Sequence, residues 1–233
     1  MIALRSLLYA FLFYAGTLAF VIAGLIASIV GQRQTEAVVL GWSLANAWAA
    51  RRLLGINVRV VGEVPPGPHL VAVKHQSTFE TLEMVRIARC PVMVIKRELA
   101  DMPLFGWLTR RYGIIAVDRE AGAKALRDML ATASQIVAAK RSVVIYPEGT
   151  RVPVGATPPL QPGFAGLYRA LKLPVLPVAM DSGVVWGTGL IKRRGIVTFQ
   201  IGEAIPPGLK RDELEARVHA AINALESGAQ ARA

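Results

Sequence analysis

The pattern of apolar and polar positions divides the chain near residue 55. Residues 7–30, LLYAFLFYAGTLAFVIAGLIASIV, contain no charged side chain. As one helix rising ~1.5 Å per residue they reach ~36 Å, longer than the ~30 Å hydrocarbon core of a bilayer. A cleavable signal peptide has a shorter apolar core and a small-residue cleavage site that leads into polar sequence. Here residues 35–54 are again apolar and helical. The pattern therefore predicts an uncleaved membrane-anchoring segment over residues 1–55, either a spanning helix or a shallow helical hairpin. Arg5, Arg33, Arg51 and Arg52 set no charge asymmetry that would orient it. Trp42 and Trp48 suit the headgroup level and plain packing equally.

From residue 56 short β-branched runs alternate with helical segments. The candidate strands are Asn57–Val61, His69–Val73, Pro91–Ile95, Ile114–Val117, Ser142–Tyr146, Pro174–Val178 and Ile196–Ile201. They are almost wholly apolar, as expected of strands buried on both faces. Leu126, Met129, Leu130, Ala133, Ile136 and Val137 recur at helical spacing between two of them. The fold class is α/β, with a mostly parallel or mixed sheet of about seven strands flanked by helices. Residues 147–163 are rich in Pro and Gly and follow a strand directly, where such folds place their chemistry. A last helix over Arg211–Leu225 is expected to end in a disordered polar tail. The domain division is 1–55 anchor and 56–233 catalytic.

Composition narrows the class. The 233 residues carry 27 Lys and Arg against 16 Asp and Glu, a net charge of +11, yet 53% are hydrophobic and only 18% charged. A nucleic-acid binder this basic carries more charge, and a disordered chain carries less apolar content. One long uncharged run does not make a polytopic membrane protein. What fits is a basic globular domain facing an anionic, apolar partner such as a phospholipid leaflet, with no nucleic acid. Residues 1–50 hold only Arg5, Arg33 and Glu36, so nearly all the positive charge lies in the second domain. The single cysteine, Cys90, excludes an internal disulfide framework and any multi-thiolate metal site, and reads as a buried small hydrophobe.

Three segments carry candidate chemistry. His75 follows the apolar run LVAV directly, in Lys74-His75-Gln76-Ser77-Thr78-Phe79-Glu80. A base at a strand end with an acid five residues on suits a general-base pair, in which the carboxylate fixes the imidazole tautomer. Ser77 and Glu80 also make a capping box, so spacing leaves Glu80 open between cap and catalytic partner. Ser77 lacks the glycine-flanked setting of a nucleophile. His69 and His219 read as structural or solvated. The second segment is Tyr146-Pro147-Glu148-Gly149-Thr150-Arg151, where Gly149 permits close backbone approach and Arg151 can grip a phosphate or simply close a loop salt bridge. The third, Gly113-Ile-Ile-Ala-Val-Asp118-Arg119, delivers an arginine at a strand end; alone, it reads as solvated.

Taken in order, Lys-His-Gln-Ser-x-x-Glu, Gly-Ile-Ile-x-x-Asp-Arg, Pro-Glu-Gly-Thr-Arg and Val175-Leu-Pro177-Val resemble the four blocks of the glycerolipid acyltransferases, the bacterial 1-acyl-sn-glycerol-3-phosphate acyltransferases above all. Lys96-Arg-Glu-Leu99 with Pro103-Leu-Phe-Gly-Trp107, and Asp181-Ser-Gly183 with Trp186-Gly187, resemble further stretches, so the likeness covers about residues 57–205. The resemblance implies His75 as general base, Glu80 as its orienting carboxylate, and Arg119 and Arg151 as ligands of the glycerol phosphate. Glu148, Gly149 and Thr150 would shape the acceptor site, Pro177 would line the acyl-donor site, and Lys74 could touch the donor's phosphates. It implies acyl transfer to the sn-2 hydroxyl of lysophosphatidic acid from acyl-CoA or acyl carrier protein, with no cofactor or metal, in phospholipid biosynthesis at the cytoplasmic membrane, the catalytic domain facing the cytoplasm. The same chemistry on another acceptor (glycerol 3-phosphate, a lysophospholipid or a lyso-ornithine lipid), a thioester hydrolase and a non-enzymatic lipid-surface binder are the alternatives. Two positions depart from the family pattern: Glu80 stands where Asp is usual, and Lys74 where Asn is usual.

Overall fold

The computed structural model describes residues 1–117, 139–187 and 189–230. The helix expected between Val117 and Ser142, and Arg119 with it, lie outside the described residues. Two helices open the chain, α1 (Ile2–Val30) and α2 (Gln32–Ala49), and a π turn over Ala50–Leu54 leads into the sheet. Seven strands follow: β1 (Ile56–Val61), β2 (Leu70–Val73), β3 (Val92–Lys96), β4 (Ile114–Val117), β5 (Val143–Ile145), β6 (Val175–Met180) and β7 (Gly195–Ile201). The helices of this part, numbered over the described residues, are α3 (Phe79–Ile87), α4 (Arg97–Ala100), α5 (Phe105–Tyr112), α6 (Pro162–Leu171), α7 (Arg211–Ile222) and α8 (Glu226–Gln230). The Pro-rich loop expected to run to residue 163 ends two residues early, because Pro162 opens α6, where a missing N–H costs nothing.

The sheet order is β1-β7-β6-β2-β5-β3-β4, parallel throughout except at the β6–β7 junction. Alternation sorts side chains to two faces. Val71, Val73, Val144, Leu176 and Val178 pack with α3 residues Phe79 and Met84 and with Trp186. Leu70, Ala72, Val143 and Val175 pack under Phe164 and Leu167 of α6 and Leu214, Val218 and Ile222 of α7. Covering both faces is what makes the strands read as unbroken apolar runs.

The ends of the chain depart from expectation. The disordered tail is corrected: after α7 the chain turns back into α8, and Glu226 at its start is buried at 5% exposure. Cys90 is half-buried rather than buried; burial still pushes its thiol up. α1 lies along the domain and touches it near both ends. Ser6 Oγ accepts the N–H of Lys192 at 3.0 Å, Tyr9 meets the Trp186 ring edge-on at 5.5 Å, and Gly24 sits against Leu108 of α5. Its outer face is apolar and bare, with Leu4, Phe11, Tyr14 and Leu18 all exposed.

Candidate active site

The site forms at the carboxyl ends of β2, β5 and β6. Parallel neighbours stop at one level there, so the residues that follow each strand converge. His75 leaves β2 on the α3 face. Its Nδ1 lies 2.8 Å from Glu80 Oε1, and its ring stacks on Tyr146, which follows β5, with centroids 4.1 Å apart. The Nδ1–H donated to a carboxylate leaves the Nε2 lone pair free, and the side chain is 15% exposed, so this nitrogen can meet a substrate.

Glu80 is wholly buried and surrounded by donors. Oε1 also accepts the N–H groups of Gln76 (2.8 Å) and Ser77 (2.6 Å), and Oε2 accepts the hydroxyls of Ser77 (2.6 Å) and Ser182 (2.7 Å). The two contacts coexist: Glu80 receives the reciprocal cap bond from the Ser77 N–H and holds His75 Nδ1 with the same oxygen. The cap is displaced by one residue: α3 begins at Phe79 after Thr78, and Ser77 Oγ accepts the Phe79 N–H at 3.0 Å. Ser77 is thereby tied down as a structural group. Removing one donor from a buried charge costs about 1.5–3 kcal/mol. Ser182→Ala is therefore expected to lower kcat/KM by roughly tenfold, with the acceptor KM little changed, in steady-state assays.

Behind His75, on the opposite face of the sheet, lies a second buried network. Lys74 is 0% exposed, and Nζ donates to Glu148 Oε1 (2.6 Å), the carbonyl of Ala156 (2.6 Å) and Asn223 Oδ1 (2.7 Å). Those are all three donors an ammonium has. The suggested contact of Lys74 with donor phosphates is therefore corrected: it has neither a free donor nor access to solvent. Glu148, expected to shape the acceptor site, is also internal at 2% exposure, with Oε2 accepting the N–H of His75 at 3.0 Å. Burial pushes its carboxyl up, and Lys74 pulls the other way. Glu226 lies 3.7 Å from the Lys74 ammonium, accepts from Gln76 Nε2 at 2.8 Å, and accepts the N–H of Gly155. The C-terminal segment thus clamps the loops that follow β2 and β5, a role for Glu226 and Asn223 that no local pattern indicates.

Gly149 adopts φ +76°, and a Cβ there would come 2.7 Å from Gln161 Cγ, so this turn requires glycine. It throws Thr150 and Arg151 outward, both exposed, while Val152 N–H returns to the carbonyl of His75 at 2.8 Å. The Arg151 loop is thus anchored beside His75. Pro177, expected to line the acyl-donor site, pairs with Ala72 and so lies on the α7 face, opposite His75. It stands opposite a bulge, where residues 202–204 face residues 176–177 between the Val178↔Ile201 pair and the Val175↔Ile205 bridge, a position that tolerates a missing N–H. Among the described residues no cluster of three or more His, Cys, Asp or Glu side chains could hold a metal ion. Sequence reasoning missed Tyr146, Ser182 and Glu226 as parts of the site.

Comparison of the whole chain with known proteins gives it a family. Residues 55–181, more than half the chain, match the family described as Acyltransferase. The chain is 35% identical over 211 residues to the 1-acyl-sn-glycerol-3-phosphate acyltransferase of Pseudomonas aeruginosa, covering 87% of this chain and 81% of that one. A 1-acyl-sn-glycerol-3-phosphate acyltransferase of Saccharomyces cerevisiae is 27% identical, over 70% of this chain and 54% of its own length. The crystal structure of the 1-acyl-sn-glycerophosphate acyltransferase from Thermotoga maritima superposes with a TM-score of 0.78 at 21% identity, covering 100% of this chain and 99% of that one, and shows the shared fold. The chain belongs to the 1-acyl-sn-glycerol-3-phosphate acyltransferase family.

Proposed function

We propose that this protein transfers an acyl group from an acyl thioester to the sn-2 hydroxyl of 1-acylglycerol 3-phosphate, forming phosphatidic acid. The observation that carries the reading is the 2.8 Å His75–Glu80 pair set beside the loop of Arg151. His75 Nε2 removes the hydroxyl proton as that oxygen attacks the thioester carbonyl. Glu80 stabilises the positive charge that forms on the ring. The tetrahedral intermediate expels the sulfur, which takes the proton back from the imidazolium and leaves as a free thiol of CoA or acyl carrier protein. Arg151 holds the acceptor's phosphate with its planar fork. Gly149 and Thr150 form the turn that presents it. Arg151→Ala should raise the acceptor KM roughly tenfold or more while kcat falls less. An unchanged KM would remove Arg151 from the phosphate site.

The partner surface is a phospholipid leaflet. Ser6 and Gly24 of α1 both touch the catalytic domain, although they lie ~27 Å apart along the helix. A helix crossing the bilayer would drag its own domain into the hydrocarbon. α1 therefore lies in the plane of one leaflet and buries its exposed Leu, Phe and Tyr side chains there. Arg5 and Arg194 gather around Gly55, with Arg51, Arg52 and Arg193 exposed nearby in sequence. At about 1 kcal/mol per basic residue near an anionic surface, they hold the domain down. An acyl-CoA or acyl carrier protein donor would meet the domain on the cytoplasmic face of the membrane, and the proposal puts it there.

Thiol release tests the reaction class. With acyl-CoA or acyl carrier protein as donor, release should depend on added lysophosphatidate and stay slow with phosphate-free acceptors. Equal release without any acceptor would make the protein a thioester hydrolase instead.

A further inference from the structure

A second cation stands near Arg151, held with more care than a surface lysine needs. Lys192 Nζ lies 4.8 Å from the centre of the Trp186 ring and donates to the carbonyl of Gly189 at 2.6 Å. Its backbone N–H donates to Ser6 Oγ of α1. Trp186 is itself fixed: it is buried, packs on Phe79, and Nε1 donates to Thr78 Oγ1 at 3.1 Å, three residues after His75. One aromatic ring therefore ties the Lys192 ammonium to the start of α3. Arg151 is anchored from the other side through Val152 and the His75 carbonyl. Its loop also packs on the turn that precedes Trp186, since a Cβ on Gly183 would meet Val154 at 2.7 Å.

The ammonium is half-buried, and burial and the Arg151 guanidinium together lower its pKa from the usual lysine value. Among the described residues no carboxylate forms a salt bridge with either cation. Two like charges held near each other cost free energy until an anion sits between them. A phosphate monoester carries close to two negative charges near neutral pH and offers three acceptor oxygens. A planar guanidinium and a point-charge ammonium are complementary ways of holding it.

We propose that Lys192 is a further cation of the acceptor site, binding the phosphate of 1-acylglycerol 3-phosphate together with Arg151, and so a specificity-determining residue. The proposal rests on the acyl-transfer reading above. It also links the site to the membrane helix, because Ser6 helps to set where Lys192 stands.

The test uses the full chain in non-ionic detergent micelles, where the acceptor supplies the only lipid phosphate. Lys192→Met keeps the aliphatic stem over Trp186 and removes the charge; Lys192→Arg keeps the charge, and Lys192→Gln gives a second neutral variant should the first fail to fold. The neutral variants should raise the KM for lysophosphatidate about tenfold or more, with kcat and the donor KM within about twofold, and Lys192→Arg should recover most of the loss. Inorganic phosphate should compete with the acceptor in the parent enzyme and several-fold less well in the neutral variants. An unchanged acceptor KM would overturn the proposal, showing that Lys192 serves the leaflet surface only. Parallel losses in kcat and both KM values would also overturn it, by reducing Lys192 to a support for Trp186. A parent protein that fails to acylate lysophosphatidate would sink the underlying reading itself, which none of the variant outcomes does.

Discussion

His75→Ala is expected to lower kcat by roughly 10²–10⁴-fold while leaving the protein folded. The sn-2 hydroxyl is a weak nucleophile, and the proton it must lose has one evident destination. His75 offers Nε2 because Nδ1 is bound to Glu80 at 2.8 Å, and Glu80 is fixed in place by four further donors. The cost to stability is small by comparison. The imidazole is partly exposed and its main packing partner is the Tyr146 ring, a contact worth about 0.5–1.5 kcal/mol. Circular dichroism and thermal melting should therefore match the parent closely while initial rates collapse. A folded variant with near-parental turnover would show that His75 is not the base.

Lys74→Met is expected to be the most damaging change away from the reacting atoms. Removing the ammonium leaves Glu148 and Glu226 buried around a vanished partner. Breaking a buried ion pair in this way costs about 3–5 kcal/mol, and at ~2–4 °C per kcal/mol for a chain of this size the melting temperature should fall by about 10 °C. The deficit should depend on pH. Burial already pushes the Glu148 carboxyl up, and Lys74 is what opposes that rise. A carboxyl whose folded pKa lies above its unfolded value favours the fold below the unfolded pKa and loses that contribution as pH climbs through the folded pKa. The gap between variant and parent should therefore widen toward neutral pH and narrow toward the ordinary carboxylate range. Melting curves across pH measure this; a gap independent of pH would mean that Lys74 matters for packing rather than for charge. Turnover should fall as well, because Lys74 adjoins His75 and the same network fixes the Gly155 loop.

The sequence exposes the local features of this molecule and hides the distant ones. All seven expected strands exist, Ile114–Val117 to the residue, because strands buried on both faces betray themselves as short apolar runs between turn signals. The His75–Glu80 pair spans five residues, so spacing alone suggests it. The sheet order and its one antiparallel junction leave no such trace. Ser182 reaches Glu80 across 102 residues and Glu226 reaches Gln76 across 150, and periodicity carries no information over such separations. Two orientations are readable in the alternation of the strands. Lys74 shares the parity of Leu70 and Ala72, so it faces the core, where a charge must find a carboxylate. Pro177 has the opposite parity to Val178, so it turns to the face away from His75.

Acyl transfer to lysophosphatidate is followed through the acyl group itself. The full-length protein is incubated with lysophosphatidate and a thioester donor whose acyl chain is isotopically labelled, and the lipid products are identified by mass spectrometry. Label is expected in the sn-2 position of phosphatidic acid, with one free thiol per label and no such product from His75→Ala. Labelled free fatty acid in place of phosphatidic acid, or full labelling by the His75 variant, would contradict it.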